Sequence, residues 1–359
     1  MTQDQPFIGR GAGFNPPNRF EQLRTEAPPS DIADYFEVPD PERRIATRFY
    51  RDHSKTVLSK NDSPDLGFTY SLNPYRGCEH GCIYCYARPS HEYLGFSSGL
   101  DFETKIMVKL DAPRLLEQEF SKRSWDPQVV VFSGNTDCYQ PVERTLLLTR
   151  QCLEVFCKFR NPVSIITKNA LIQRDIDLLK ELASRNLVLV VITITTLDQQ
   201  LVKTLEPRTS SPRKRLETIQ ALAKAGIPVG VNVAPVIPGM TDIEIPAILN
   251  EAAAHGATRA GYTMLRLSYA LKDLFLNWLM RTYPEKAGRV VNRLRDIRGG
   301  KLSESEFGKR IGGEGEIASA IQQLFESACT IHHLNEKEYG GLSCDEFISP
   351  HNAQGLLAL

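Results

Sequence analysis

A chain of 359 residues, 42% hydrophobic and 24% charged, can bury one large core with appendages or two smaller cores. Its 43 basic and 43 acidic side chains cancel, which excludes a whole-molecule field drawing it to nucleic acid or an anionic membrane, while leaving room for a local basic groove. Met1 to Gly13 has no apolar leader, and no later stretch reaches the ~18 uncharged apolar residues of a membrane span, so the sequence reads as cytoplasmic with no membrane partner.

Residues 1–66 show no sustained period and carry the loop signals Gly9-Arg10-Gly11-Ala12-Gly13, Asn15-Pro16-Pro17 and Pro28-Pro29. They read as an irregular N-terminal extension. From residue 67 to 268, short β-branched runs alternate with longer amphipathic ones, the pattern of βα units on a parallel sheet. Strands are predicted at Phe68–Leu72, Val129–Ser133, Val163–Thr167, Leu187–Thr195, Val229–Val236 and Ala260–Leu267. Helices are predicted at Ala112–Lys122, Val142–Lys158, Arg174–Ser184, Pro212–Ala225 and Ile243–His255, with Asn186, Gly226 and Gly256 as stops. Six such units without a Gly-x-Gly-x-x-Gly turn favour an α/β fold of the partial (β/α)6 TIM-like barrel type over a dinucleotide-binding sheet. Reactive groups are then expected at the C-terminal strand ends. Residues 269–359 form a helical C-terminal region, with Leu271–Arg281, Lys286–Arg298 and Ile317–His332 as its main segments, expected to cap or flank the barrel.

Three of the eight cysteines fall within eight residues, after the first predicted strand, spaced Cys-x-x-x-Cys-x-x-Cys at Cys78, Cys82 and Cys85. This does not look like a disulfide framework. Three thiolates on one tight loop can take three corners of an iron–sulfur cube, with Gly77 and Gly81 allowing unusual backbone angles, and the fourth iron is left open to a small molecule. The alternatives are a zinc site, for which His80 and His91 are at hand, or three buried thiols.

The runs Asn73-Pro74-Tyr75-Arg76-Gly77-Cys78 and Cys82-Ile83-Tyr84-Cys85-Tyr86-Ala87 resemble the radical S-adenosylmethionine (SAM) superfamily and, within it, the branch related to spore photoproduct lyase. The resemblance covers about Phe68 to Leu267. It implies an enzyme in which a [4Fe–4S] cluster on Cys78, Cys82 and Cys85 reduces SAM to methionine and a 5′-deoxyadenosyl radical, with an electron donor such as flavodoxin or ferredoxin. It also places SAM against the strand ends. Tyr84 and Tyr86 would meet adenine, and Ser133, Asn135 and Asp137 the methionine ammonium. Lys168 would pair with the carboxylate, and Thr193 and Thr195 with the ribose or carboxylate. Arg208 would order the site, and Asn232 and Ala234 would approach adenine.

The same branch implies a lyase acting on damaged DNA, with a cysteine that returns a hydrogen atom. Cys138, beside Tyr139, lies in that region, although an alternative register puts Gly134 at the donor position. Candidate phosphate contacts are Arg10, Arg19, the Arg208/Arg213/Lys214/Arg215 cluster, and Arg289, Arg293, Arg295, Arg298 and Lys301; a solvated helix face is the other reading of these charges. Competing functions are radical SAM modification of RNA, a protein or a small metabolite. From another class come a non-catalytic iron–sulfur electron carrier and a zinc-stabilised binding protein.

Overall fold

The computed structural model describes residues 7–20, 45–303, 306–336, 341–349 and 351. The turn expected at Pro28-Pro29 lies outside them. In chain order the chain forms β1 (Arg48–Arg51), β2 (Leu58–Lys60), β3 (Tyr70–Leu72), β4 (Tyr75–Arg76), α1 (Leu100–Thr104), β5 (Lys105–Val108), α2 (Ala112–Phe120) and β6 (Val130–Phe132). It continues through α3 (Glu143–Leu146), α4 (Leu148–Phe159), β7 (Val163–Thr167), α5 (Ile176–Ala183), β8 (Val188–Thr193), α6 (Gln199–Leu205), α7 (Pro212–Lys224), β9 (Val229–Val236), α8 (Ile245–Ala254) and β10 (Arg259–Met264). Four helices follow: α9 (Leu271–Thr282), α10 (Pro284–Asp296), α11 (Lys309–Gly312) and α12 (Gly315–Ile331).

The main sheet has the order β10-β9-β8-β7-β6-β3-β2 and is parallel except for β2, which runs antiparallel to β3 at one edge. With β10 and β2 at its two edges the sheet is open, so the molecule is an α/β partial barrel rather than a closed one. Leu72 stands opposite Phe132, Phe132 opposite Ile165, and Ile165 opposite Val190. This register brings the C-terminal ends of the strands level, so that the loops following them share one rim. The packing follows from alternation: in β7, Val163, Ile165 and Thr167 are buried while Ser164 and Ile166 are half-buried on the other face. Val163 and Ile165, like Val188 and Val190 of β8, are sealed from solvent, each such side chain contributing about 1.5–3 kcal/mol.

The expected stops are present: Asn186, Gly226 and Gly256 all have positive φ. The helix expected over Val142–Lys158 is instead two, because Leu147 adopts φ 57° between α3 and α4. The N-terminal extension is also less irregular than expected. It supplies β2 to the main sheet and β1 to a second, three-stranded sheet of order β1-β5-β4, neither of which shows a period long enough to read. In the C-terminal region α12 packs on α8 and α11 on β10.

Candidate functional site

The cysteine loop leaves β4 through Gly77 (φ 80°) and turns again at Gly81 (φ 67°). A Cβ on Gly77 would lie 2.9 Å from the Phe102 carbonyl oxygen, so the loop requires glycine there. Backbone hydrogen bonds fix its course: Cys78 N donates to Phe102 O (2.9 Å), Ile83 N to Leu205 O (3.0 Å) and Cys85 N to Cys82 O (3.2 Å). Beneath it, the fully buried Arg88 donates to the Cys82 carbonyl (2.9 and 3.0 Å) and pairs with the fully buried Glu103 at 2.5 Å. Glu103 also accepts from Gly11 N (3.0 Å) and Ala12 N (2.8 Å), and Arg10 donates to the Glu103 carbonyl (2.8 Å). The Gly9-to-Gly13 segment is therefore a strap seated against the cysteine loop.

Cys78, Cys82 and Cys85 all line one cavity of about 360 Å³. Burial pushes all three thiols up from their usual pKa, so the thiolate form there calls for a compensating positive charge such as a bound metal supplies. The rest of the wall is the rim of the sheet, through Ser133, Asn135 and Asp137 after β6, Lys168 after β7, Thr193 of β8, Asn232 and Ala234 of β9, and Thr263 of β10. Tyr84 and Tyr86 face it as well. A more open hollow of about 480 Å³ by Leu197, Pro212, Glu217 and His255 contains none of these groups.

The polar groups of the cavity are braced from behind. The Tyr84 hydroxyl meets Glu206 and Thr195 (3.2 Å), and Lys168 Nζ sits 5.8 Å from the Tyr84 ring centre. Glu206 forms an ion pair with Arg215, both side chains sealed from solvent. Burial opposes the charge on Glu206, but Arg215, Lys168 and the two hydroxyls outweigh it and hold the carboxyl at about 2. Asp137 is held at about 2 in the same way. Against the cost of burial stand His80 (3.3 Å) and the N–H groups of Lys168 (2.8 Å) and Tyr139 (2.9 Å). Asn73 Oδ1 accepts from Asn135 N (2.8 Å) and Thr136 N (3.2 Å), fixing the loop after β6.

Four expected site residues lie elsewhere. Cys138 is sealed in the hydrophobic core with Leu72, Phe132 and Cys152, and its carbonyl accepts from Thr149 Oγ1 (2.6 Å). The reason is local: Ser133 takes φ 73°, and the Asp137 carboxylate closes a turn onto Tyr139 N. The turn faces residues 133–137 to the cavity and returns residues 138 and 139 to the core. Tyr139 is likewise buried, with its hydroxyl 3.0 Å from Asp175. Thr195 supports Tyr84 from behind, through Glu206 (2.6 Å) and the Ala234 carbonyl (2.8 Å). Arg208 pairs with Glu79 (3.1 Å) and donates its N–H to the His80 carbonyl, bracing the cysteine loop.

The histidines weighed for zinc are engaged otherwise, His80 with Asp137 and Asn169 (3.1 Å), His91 with the Lys105 carbonyl (2.9 Å). Among the described residues no three His, Cys, Asp or Glu side chains converge on a single-ion site. Zinc demands that convergence, whereas a cluster spreads three thiolates over three irons. Most of the basic groups proposed for phosphate have partners within the protein, Arg215 and Arg298 in the interior and Arg213 and Lys214 in exposed surface pairs. Arg19 pairs with Glu92, Arg213 and Lys214 with Glu217, Arg215 with Glu206, and Arg293 with Asp242, while Arg298 donates to the Leu265 and Lys309 carbonyls. Sequence reasoning misses Arg266 and the supporting roles of Glu206 and of His80, which it weighs only as a zinc ligand. The rule that strand ends carry function would have reached Arg266, just past β10; the other two are identified only by their spatial partners.

An open parallel sheet with a three-cysteine loop beside its carboxyl rim defines a cofactor-dependent α/β enzyme fold. Residues 72–252, half of the chain, match the family model described as Radical SAM superfamily. The chain belongs to that superfamily, and its cofactors are a [4Fe–4S] cluster and SAM. It is 36% identical over 252 residues to the uncharacterized protein Rv2578c of Mycobacterium tuberculosis, covering 69% of this chain and 73% of that one. It is 30% identical over 227 residues to the uncharacterized protein MJ0683 of Methanocaldococcus jannaschii, covering 63% and 81%. In fold it is similar to spore photoproduct lyase complexed with dinucleoside spore photoproduct (TM-score 0.56, 17% identity, 79% of each chain). It is also similar to a mutant of that lyase with bound AdoMet and the same ligand (TM-score 0.57, 17% identity, 87% and 85%).

Proposed function

We propose that Cys78, Cys82 and Cys85 each give one thiolate to the [4Fe–4S] cluster, and that the cavity they open into holds SAM and the substrate. The observation that carries this reading is that all three cysteines line the same cavity as the carboxyl ends of β6 to β10. When bound, the cluster supplies the electron that cleaves SAM to methionine and a hydrogen-abstracting 5′-deoxyadenosyl radical. The chain's own part is to bind and orient. Lys168 brings a positive charge to the methionine carboxylate, and Ser133, Asn135 and Asp137 offer acceptors to the ammonium. Tyr84, fixed at its hydroxyl by Glu206 and Thr195, offers a ring to adenine, with Thr193, Asn232 and Ala234 beside the nucleoside. Ile166, Met264 and Leu265 keep that wall apolar and limit water, which would quench reactive species. A flavodoxin or ferredoxin serves as the electron donor.

For the substrate we favour a lesion in DNA, by likeness of fold to the lyase. Cys138 is sealed in the core, which favours another group for any hydrogen return. The burial of Arg215 and Arg298, and the pairing of Arg19 with Glu92, support a second reading, radical modification of RNA, a protein or a small metabolite. The deciding experiment is anaerobic reconstitution with iron and sulfide, then dithionite and SAM, following 5′-deoxyadenosine with and without damaged DNA. Cysteine-dependent 5′-deoxyadenosine is expected. A product from the lesion favours the lyase; a cluster-loaded protein that never cleaves SAM leaves an electron carrier.

A further inference from the structure

Arg266 follows β10 and lines the cavity on the side formed by Leu66, Phe68, Tyr86 and Ile311. It is half-buried, its Nε is enclosed by protein, and among the described residues neither a hydrogen bond nor an ion pair engages it. Arg88, Arg215 and Arg10 each have bonded partners, Glu103, Glu206 and the carbonyls of Glu103 and Ile45, and Arg298 bonds the Lys309 and Leu265 carbonyls through its two terminal nitrogens. The neighbouring Arg310 spends its charge on Asp65 and the Ser63 hydroxyl. Burial and the nearby Arg310 both work against the charge on Arg266. Asp65 attracts it from a distance but is already paired with Arg310, so the Arg266 guanidinium has no bonded counter-charge of its own, and an anionic ligand in the cavity would supply one.

The wall beside Arg266 has a definite chemistry. Tyr86 is 56% exposed yet held in place, because its hydroxyl donates to the Gly134 carbonyl at 2.6 Å. Phe68 and Leu66 line the same cavity and add apolar surface to that of the Tyr86 ring. We propose that Arg266 is the substrate anchor of this cavity, taking an oxyanion, phosphate or carboxylate, of a substrate whose planar body lies against Tyr86 and Phe68. The planar guanidinium fork matches either oxyanion through two parallel hydrogen bonds. The assignment rests on the radical SAM reading, in which Lys168 serves the SAM carboxylate and leaves Arg266 for the substrate.

The test is calorimetric titration of the anaerobic, cluster-loaded protein, saturated with SAM, with phenyl phosphate, phenylacetate and the neutral benzyl alcohol. At least one anion is expected to bind about tenfold more tightly than the alcohol, and the better anion tells phosphate from carboxylate. Arg266→Gln should abolish that preference and Arg266→Lys should retain part of it, while SAM titrated alone binds wild type and Arg266→Gln equally. The proposal is overturned by equal binding of anions and alcohol to wild type, by no anion binding up to about 10 mM, by a preference surviving in Arg266→Gln, or by an equal loss of SAM affinity. Failure of the wild type to release 5′-deoxyadenosine in the same preparation would instead strike the radical SAM reading.

Discussion

Gly11 lies directly against Gly81: a Cβ added to Gly11 would stand 1.9 Å from the Gly81 carbonyl oxygen and 3.1 Å from its carbon. Both obstacles are backbone, so neither can rotate away, and either the strap or the cysteine loop must shift. Gly11→Ala is therefore expected to cost on the order of 2 kcal/mol and to lower iron and sulfide bound per chain. Gly67→Ala is the control, since nothing lies within 4 Å of the added carbon and its φ is not positive. Full cluster content and an unchanged melting temperature in Gly11→Ala would refute the strap's role.

The sequence makes the strap visible only as Gly-rich loop, because its partner Glu103 is 92 positions away. By contrast β7 and β9 fall on their expected bounds, Val163–Thr167 and Val229–Val236, since each carries its own β-branched run between clear stops. β1, β4 and β5 are short and gain their order from pairing with one another, so no local period announces them. The cysteine loop is legible because its chemistry is compressed into eight residues. The segment around residues 206–208 is legible through Arg208, which braces the cysteine loop, while its neighbour Glu206, which reaches Tyr84 and pairs with Arg215 from the next helix, shows itself only in space. Cys138 misleads for a related reason, as adjacency to the rim in sequence does not decide which way a turn sends the side chain.

The three loop cysteines and Cys138 should separate cleanly. Alanine at Cys78, Cys82 or Cys85 should abolish cluster retention and 5′-deoxyadenosine formation while leaving the secondary structure intact by circular dichroism. Cys138→Ala should keep cluster and SAM cleavage and lose about 1–2 kcal/mol of stability, because it leaves a small void beside Leu72 and Phe132. A Cys138→Ala protein of wild-type stability that yields a changed substrate product would return Cys138 to the chemistry.

Glu206 and Arg215 form an ion pair sealed from solvent, and the same carboxylate fixes Tyr84 at the cavity wall. Glu206→Gln keeps the shape and removes the counter-charge, leaving a buried guanidinium uncompensated. A loss of about 3–5 kcal/mol in urea unfolding of the apoprotein is expected, together with a somewhat weaker SAM affinity, since the Tyr84 hydroxyl exchanges a carboxylate acceptor for an amide one. Arg215→Met in the Glu206→Gln background should recover much of the stability. Two independent, additive losses would show that the pair is not coupled.

His91 gives the fold a specific sensitivity to acid. Its ring is fully buried between Phe96 and Phe102, Nε2 lies 2.9 Å from the Lys105 carbonyl and so donates its proton there, and Nδ1 has no partner. Burial first, against the help of that carbonyl and of Asp101, depresses its pKa from 6.5 to about 4. The unfolded chain therefore binds the proton before the folded one does. The stability from keeping this ring neutral is fully present above pH 6.5, falls as pH drops through the window from 6.5 to 4, and levels off below it. The whole effect is on the order of 3 kcal/mol. His91→Gln can keep a donor to the Lys105 carbonyl without titrating, so its unfolding free energy should decline less than that of wild type between pH 7 and pH 4. The carboxylates of the chain titrate alike in both proteins, so the difference between the two curves isolates His91. Parallel curves would mean that the buried imidazole takes up its proton without penalty.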